Sequence, residues 1–170
     1  MIEFEPLLRA IYDLPLSQVV RGAVWVYPVL ETLHLIGLGL LFGPIIIFDL
    51  RVLGVISSPA PSPLAGLLLP WVWIGFAINA TSGVLLFGSD ALEFGANPAF
   101  QAKIALILMA GLNAAVFQLR AAGGYAGNAP AGDAPSPDAP LTGGLRFQAA
   151  LSILLWLGVI LAGRMIAYVA

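Results

Sequence analysis

Polar and apolar positions are distributed in two distinct ways along the chain. Over residues 2–14 they alternate at helical spacing: Phe4, Leu7, Leu8, Ile11 and Tyr12 share one side, with Glu3, Glu5, Arg9 and Asp13 elsewhere. That pattern predicts a short helix lying in a membrane interface. Leu14-Pro15 breaks it, and Ser17 is placed to cap the next helix. Beyond it, charged residues become rare over long stretches. Four apolar runs, about 22–48, 64–87, 99–119 and 145–169, are each long enough to span, since roughly 20 residues cross a bilayer as a helix. Pro28 and Pro44 should bend the first run, and Asp49 and Arg51 should end it in water. Residues 57–63 (SSPAPSP) read as a turn, and Gly88 to Pro98 as a polar loop. Residues 120–144 are dominated by Gly, Ala, Pro, Ser and Asp and read as a flexible loop.

These elements predict an all-α fold. A single transmembrane domain covers residues 1–170: an integral membrane four-helix bundle in up-down order, with a short N-terminal interfacial helix. Small residues mark the expected seams. Gly39 and Gly43 form a GxxxG pair in the first span, and Gly75, Asn79 and Gly83 line one side of the second.

Composition supports the membrane assignment. Hydrophobic residues make up 60% of the 170 and charged residues 9%, with a mean hydropathy of +0.98. A soluble chain carries about 25% charged residues. The net charge of −2 argues against nucleic acid as a partner, which would call for a basic footprint. With no cysteine, thiol catalysis, iron–sulfur clusters and disulfides are excluded. No cleavable signal peptide is expected, because Glu3, Glu5 and Asp13 fall where a basic end and apolar core would stand. With four spans both termini share one side, here side A. Arg51, Arg120 and Arg146 lie on side B, against Arg9 and Arg21 on side A, so the positive-inside rule places the termini in the periplasm of a bacterial cytoplasmic membrane.

Ionisable groups within spans are costly and mark functional positions. Glu31 and His34 stand three apart on one face of the first span. Lys103 lies just inside the third span and Arg164 just inside the end of the fourth, where both could equally snorkel to headgroups. Asn79 adds a hydrogen-bonding group in the second span. Counted from side A, His34 comes out at ~18 Å, Glu31 at ~13 Å, Asn79 at ~12 Å, and Lys103 and Arg164 at ~6 Å. All five fall in one half of the bundle and could share a polar pocket.

His34 is the only histidine, and imidazole is a common ligand of b-type haem. Glu31 could orient the ring, and Lys103 and Arg164 suit two propionates. The second axial position is left to Met109, to Met165, to a histidine of a second subunit in a homodimer, or to nothing. Copper is the rival metal, though one histidine and three methionines are few ligands for it. A proton-coupled role needs only His34, Glu31 and a wet cavity. The bland alternative is a structural helper without cofactor, whose buried charges fix helix register. No nucleotide-binding loop and no H-E-x-x-H motif occurs.

The order of these features resembles the CopD-like superfamily of small bacterial membrane proteins. That group includes the copper resistance protein D domain and the HemJ-type protoporphyrinogen oxidase. More closely, the chain resembles a DUF6644-type family. The resemblance rests on Glu31-x-x-His34-x-x-Gly37, Asp49-Leu50-Arg51-x-x-Gly54, Leu69-Pro70-Trp71, Thr81-Ser82-Gly83, Asn97-Pro98-x-Phe100-x-x-Lys103 and Asn113, within about residues 22–120. It implies that His34 and Lys103 match a histidine and a lysine that serve haem and activity in the HemJ type. It also implies that Lys103 and Asn113 match a lysine–asparagine pair of copper resistance protein D. The further histidines of the HemJ type and the methionines of a copper-handling protein are absent. The reading is a haem b protein for electron transfer or a haem-linked redox reaction, an enzyme only in the latter case. The alternative is a membrane component of copper handling with a periplasmic partner.

Overall fold

The computed structural model describes residues 4–127 and 143–169, the side chains of 121–127 excepted. It is all-α, with no strand among the described residues. Two short helices, α1 (Glu5–Tyr12) and α2 (Pro15–Gly22), precede the first long one, α3 (Val26–Leu53). Then come α4 (Pro61–Ser89), the short α5 (Ala91–Ala96), α6 (Pro98–Gly127) and α7 (Gly143–Met165). Four of these, α3, α4, α6 and α7, are long and apolar enough to cross a membrane. At 28 residues, α3 extends ~42 Å, more than the ~30 Å hydrocarbon layer.

The bundle is built from two antiparallel hairpins. In the first, α3 and α4 approach so closely that only glycine fits at the crossing. A Cβ on Gly37 would stand 2.6 Å from the Asn79 backbone nitrogen, and one on Gly75 would strike the backbone of Leu40 and Leu41. The second hairpin is α6 against α7, where Gly158 admits the Leu106 side chain. Backbone packing between the hairpins runs through α3 and α7. Elsewhere aromatic pairs bridge them: Phe48 meets Phe117 edge-on with centroids 5.8 Å apart, and Phe87 stacks on Phe100 at 5.2 Å. On side A the bundle is covered by α1, α2 and α5. Leu8 packs against Gly95, and Arg21 donates to the carbonyls of Tyr12 and Ser89 while lying 3.6 Å over the Tyr12 ring.

Several sequence-based expectations need correction. The amphipathic N-terminal segment is followed by a second short helix. Pro15 occupies its first turn, so Ser17 is no cap; its hydroxyl donates to Ile11 O at 2.8 Å. The first span starts four residues later than expected and runs on to Leu53, where Gly54 at φ 86° ends it. Asp49 is therefore not in water: the helix continues for another turn and Asp49 is 6% exposed. The expected loop at 88–98 contains α5. Helix α6 continues through Gly127, since no proline interrupts the chain before Pro130. Residues 128–142 of the expected flexible loop lie outside the described residues.

The GxxxG pair is also not the seam. A Cβ on Gly39 or Gly43 would meet nothing within 4 Å. At ~100° per residue, Gly39 stands about 200° round the helix from Gly37, facing away from α4. Gly75, Asn79 and Gly83 do line the contact with α3, as expected: a Cβ on Gly83 would lie 3.0 Å from the His34 ring.

Side B is closed by cation caps. Arg146, in the first turn of α7, donates to Leu53 O at the end of α3. Arg51 donates to Pro59 O in the connecting turn. Both place positive charge near the carbonyl end of α3, where the helix dipole favours it.

Gly37→Ala should cost about 1–3 kcal/mol, the range for overpacking, whereas Gly39→Ala should be tolerated. Thermal unfolding of the two variants in detergent, followed by circular dichroism, checks the difference.

Candidate functional site

His34 sits two turns into α3, ~12 Å from its side A end, and Asn79 lies at ~15 Å from the same end of α4. The later start of α3 brings the two level. They exchange hydrogen bonds across the hairpin: the His34 ring Nδ1 to Asn79 O at 3.0 Å, and Asn79 Nδ2 to His34 O at 2.9 Å. The Ser82 hydroxyl lies 3.1 Å from the same Nδ1 and donates to Ile78 O at 2.7 Å. A carbonyl only accepts, so Nδ1 carries the hydrogen in this contact. Nε2 makes no hydrogen bond among the described residues and is the nitrogen left for a ligand. The ring is half-buried.

The other predicted residues divide. Lys103, half-buried on α6, lies against Gly163 of α7 and within electrostatic range of His34. It therefore belongs to the same half of the bundle as the imidazole. Glu31 is exposed, and no hydrogen bond joins it to His34. The ring is oriented instead by a backbone carbonyl and a serine of the neighbouring helix. Arg164 is at the last turn of α7, exposed, donating to the Tyr168 hydroxyl at 2.8 Å with its guanidinium over that ring. This is the geometry of an interfacial anchor. Among the described residues no group of three or more His, Cys, Asp or Glu side chains is close enough to hold a metal ion.

For three further polar residues the structure supplies the surroundings. Ser82 is buried beside His34 and shares its Nδ1 hydrogen. Asp49 and Gln148 are buried on side B, 6% and 5% exposed, each with an oxygen that has no hydrogen-bond partner. For Asp49 the signal was Gly54: a helix-stopping glycine five residues on places the carboxyl inside the helix. Asn97, buried, organises side A. Its Oδ1 accepts from the backbone of Ala99 and Phe100, capping α6, while Nδ2 donates to Ile166 O and Val169 O beyond α7. Asn followed by Pro is itself a helix-start signal.

Fold and site together define a multi-pass membrane protein with polar groups set inside a four-helix bundle. The chain belongs to a family of unknown function, DUF6644, whose model matches residues 18–169. The match begins within α2 and so includes all four long helices. No curated protein and no solved structure matches it.

Asn97→Ala should lower stability by about 1–2 kcal/mol, the cost of a lost cap. Asn97→Asp, which keeps the capping oxygen but not the donor, should recover part of that loss. Unfolding of both variants in detergent measures it.

Proposed function

We propose that the protein binds b-type haem through His34 Nε2 and serves electron transfer in a bacterial cytoplasmic membrane. The observation that carries this reading is the imidazole itself. Its Nδ1 is tied to Asn79 O, the kind of second contact that orients a metal-ligating histidine, and its other nitrogen is free. The donor set fits haem in this respect. Bound there, haem would supply one-electron chemistry. The chain's own contribution is to hold the ring at one angle, through Asn79 and Ser82, and to set it within an apolar bundle. Lys103 offers a positive charge to a propionate from the opposite hairpin, and Arg164 offers another at the surface. A single histidine leaves the sixth position to a methionine, a second copy of the chain or a redox partner. The resemblance to the CopD-like and HemJ-like group supports the same assignment of His34 and Lys103.

An optical spectrum of the detergent-purified protein, oxidised and dithionite-reduced, with haem and metals quantified per chain, tests this. A Soret band that disappears in His34→Ala is expected. Glu31→Gln should keep its haem, since Glu31 does not hold the ring. Full haem content in His34→Ala would overturn the proposal. Bound copper with no Soret band would replace it by the copper reading, and neither group, in protein expressed with both supplied, by a cofactor-free role.

The same proposal sets side A, with both termini, in the periplasm. The absence of native cysteine makes this directly measurable. Glu93→Cys, on side A, should react with a membrane-impermeant maleimide in intact spheroplasts. Ser57→Cys, on side B, should react only after lysis.

A further inference from the structure

The side B end of the bundle combines two features that the haem reading leaves unused. The first is a cavity of about 160 Å³ between the two hairpins, with walls from all four long helices. Its wall is mostly apolar, with the rings of Phe48, Phe117 and Trp156 among the lining side chains. On α7 the lining extends from Gln148 to Trp156, a rise of ~12 Å along the bundle. The cavity is partly open rather than enclosed. Among the described residues α4 and α6 make no close backbone contact, and Leu69 of α4 and Ala114 of α6 both line the cavity and are exposed on the outer surface. What surrounds the bundle at that depth is hydrocarbon.

The second feature is a group of three arginines. Arg51 of α3 and Arg120 of α6 each stand three residues, about one helical turn, beyond the lining residues Phe48 and Phe117, whose rings meet at 5.8 Å. The Arg120 guanidinium reaches the first turn of α7, 3.7 Å from where a Cβ on Gly144 would stand. Arg146 lies in that same turn and reaches Leu53 O, two residues beyond Arg51. Three of the four helices that wall the cavity thus carry a cation at its side B end. Arg51 and Arg146 each engage a backbone carbonyl through one nitrogen, which leaves guanidinium donors on both. Among the described residues the only acid at this end is Asp49, which is buried. Asp133 and Asp138 lie outside the described residues.

Such a cluster suits an anion, and phosphate oxygens accept the forked donors of a guanidinium in pairs. A soluble phosphate would leave the apolar cavity beside it unused. A molecule with phosphate at one end and hydrocarbon at the other matches both features, and basic groups beside a gap between membrane helices hold anionic headgroups in this way. A zwitterionic lipid brings its own cation next to the phosphate, which three arginines repel.

We propose that side B binds one anionic phospholipid, its phosphate on Arg51, Arg120 and Arg146 and part of an acyl chain in the cavity between the hairpins. Nothing in this depends on haem at His34, which stands toward side A.

Native mass spectrometry of the purified full chain, titrated in detergent with dioleoyl phosphatidylglycerol or dioleoyl phosphatidylcholine, tests it. One phosphatidylglycerol per chain should be retained at least about tenfold more tightly than phosphatidylcholine, since each basic residue beside an anionic headgroup contributes about fivefold. Arg120→Gln should lose about fivefold for phosphatidylglycerol and leave phosphatidylcholine unchanged, while Arg120→Lys should keep the preference. Ala114→Phe, which places a ring at the opening, should weaken both lipids while the helical spectrum is retained. Glycerol phosphate, which has the headgroup chemistry without the chains, should not displace the lipid. Arg51→Gln and Arg146→Gln should act like Arg120→Gln; should either fail to fold for want of its helix-end contact, Arg120→Gln and Ala114→Phe decide the matter. His34→Ala should retain phosphatidylglycerol as the wild type does, so loss of haem and loss of lipid are read separately. Equal retention of the two lipids by the wild type would overturn the proposal. So would wild-type retention of phosphatidylglycerol in both Arg120→Gln and Ala114→Phe, displacement by glycerol phosphate, or a dimer that retains no lipid.

Discussion

The approach of α3 to α4 is the constraint on which the candidate His34 site depends. In a bilayer there is no hydrophobic force to drive two apolar helices together, so close van der Waals contact and interhelical hydrogen bonds must do it. Gly37 and Gly75 remove the side chains that would keep the backbones apart. That closeness lets a side chain on one helix reach the main chain of the other, in both directions at once, between His34 and Asn79. A residue larger than glycine at the crossing would separate the helices and lengthen both bonds. The packing seam and the orientation of the imidazole are thus one structure.

The two hairpins are joined differently. Outside the α3–α7 contact they meet through aromatic side chains rather than through backbones held close by glycine. Side chains of this size bridge helices whose axes stay apart, and the space between is where the side B cavity lies. The bundle therefore carries polar groups at two levels. His34, Asn79, Ser82 and Lys103 stand toward side A, and Asp49, Gln148 and Ser152 toward side B. His34 and Asp49 are fifteen residues apart on α3, a rise of ~22 Å.

Much of this architecture was legible from residue order. Apolar runs of sufficient length, broken at Leu14-Pro15, at SSPAPSP and at Asn97-Pro98, specify four spans and their connections, because a backbone in lipid must satisfy its own hydrogen bonds as helix. The stripe of Gly75, Asn79 and Gly83 was correctly assigned to a seam, and His34 and Asn79 were placed in the same half of the bundle, though at depths ~6 Å apart. Gly39 and Gly43 were assigned to a seam as well, and there the pattern misled. A small-residue motif states that close approach is allowed on a face, not which face the neighbour takes.

What only the tertiary structure decided is which polar groups meet. Spacing along α3 put Glu31 beside His34, yet the ring turns to the Asn79 carbonyl of the closely packed neighbouring helix, while Glu31 stands on the exposed face. Asp49 looked like the end of a span in water, and burial against α7 makes it part of the interior. Helical period and hydropathy are properties of a single segment, so the sequence alone determined the spans. Rotation of each helix about its axis depends on its neighbours, and that rotation set the partners of His34, Asp49 and Gln148.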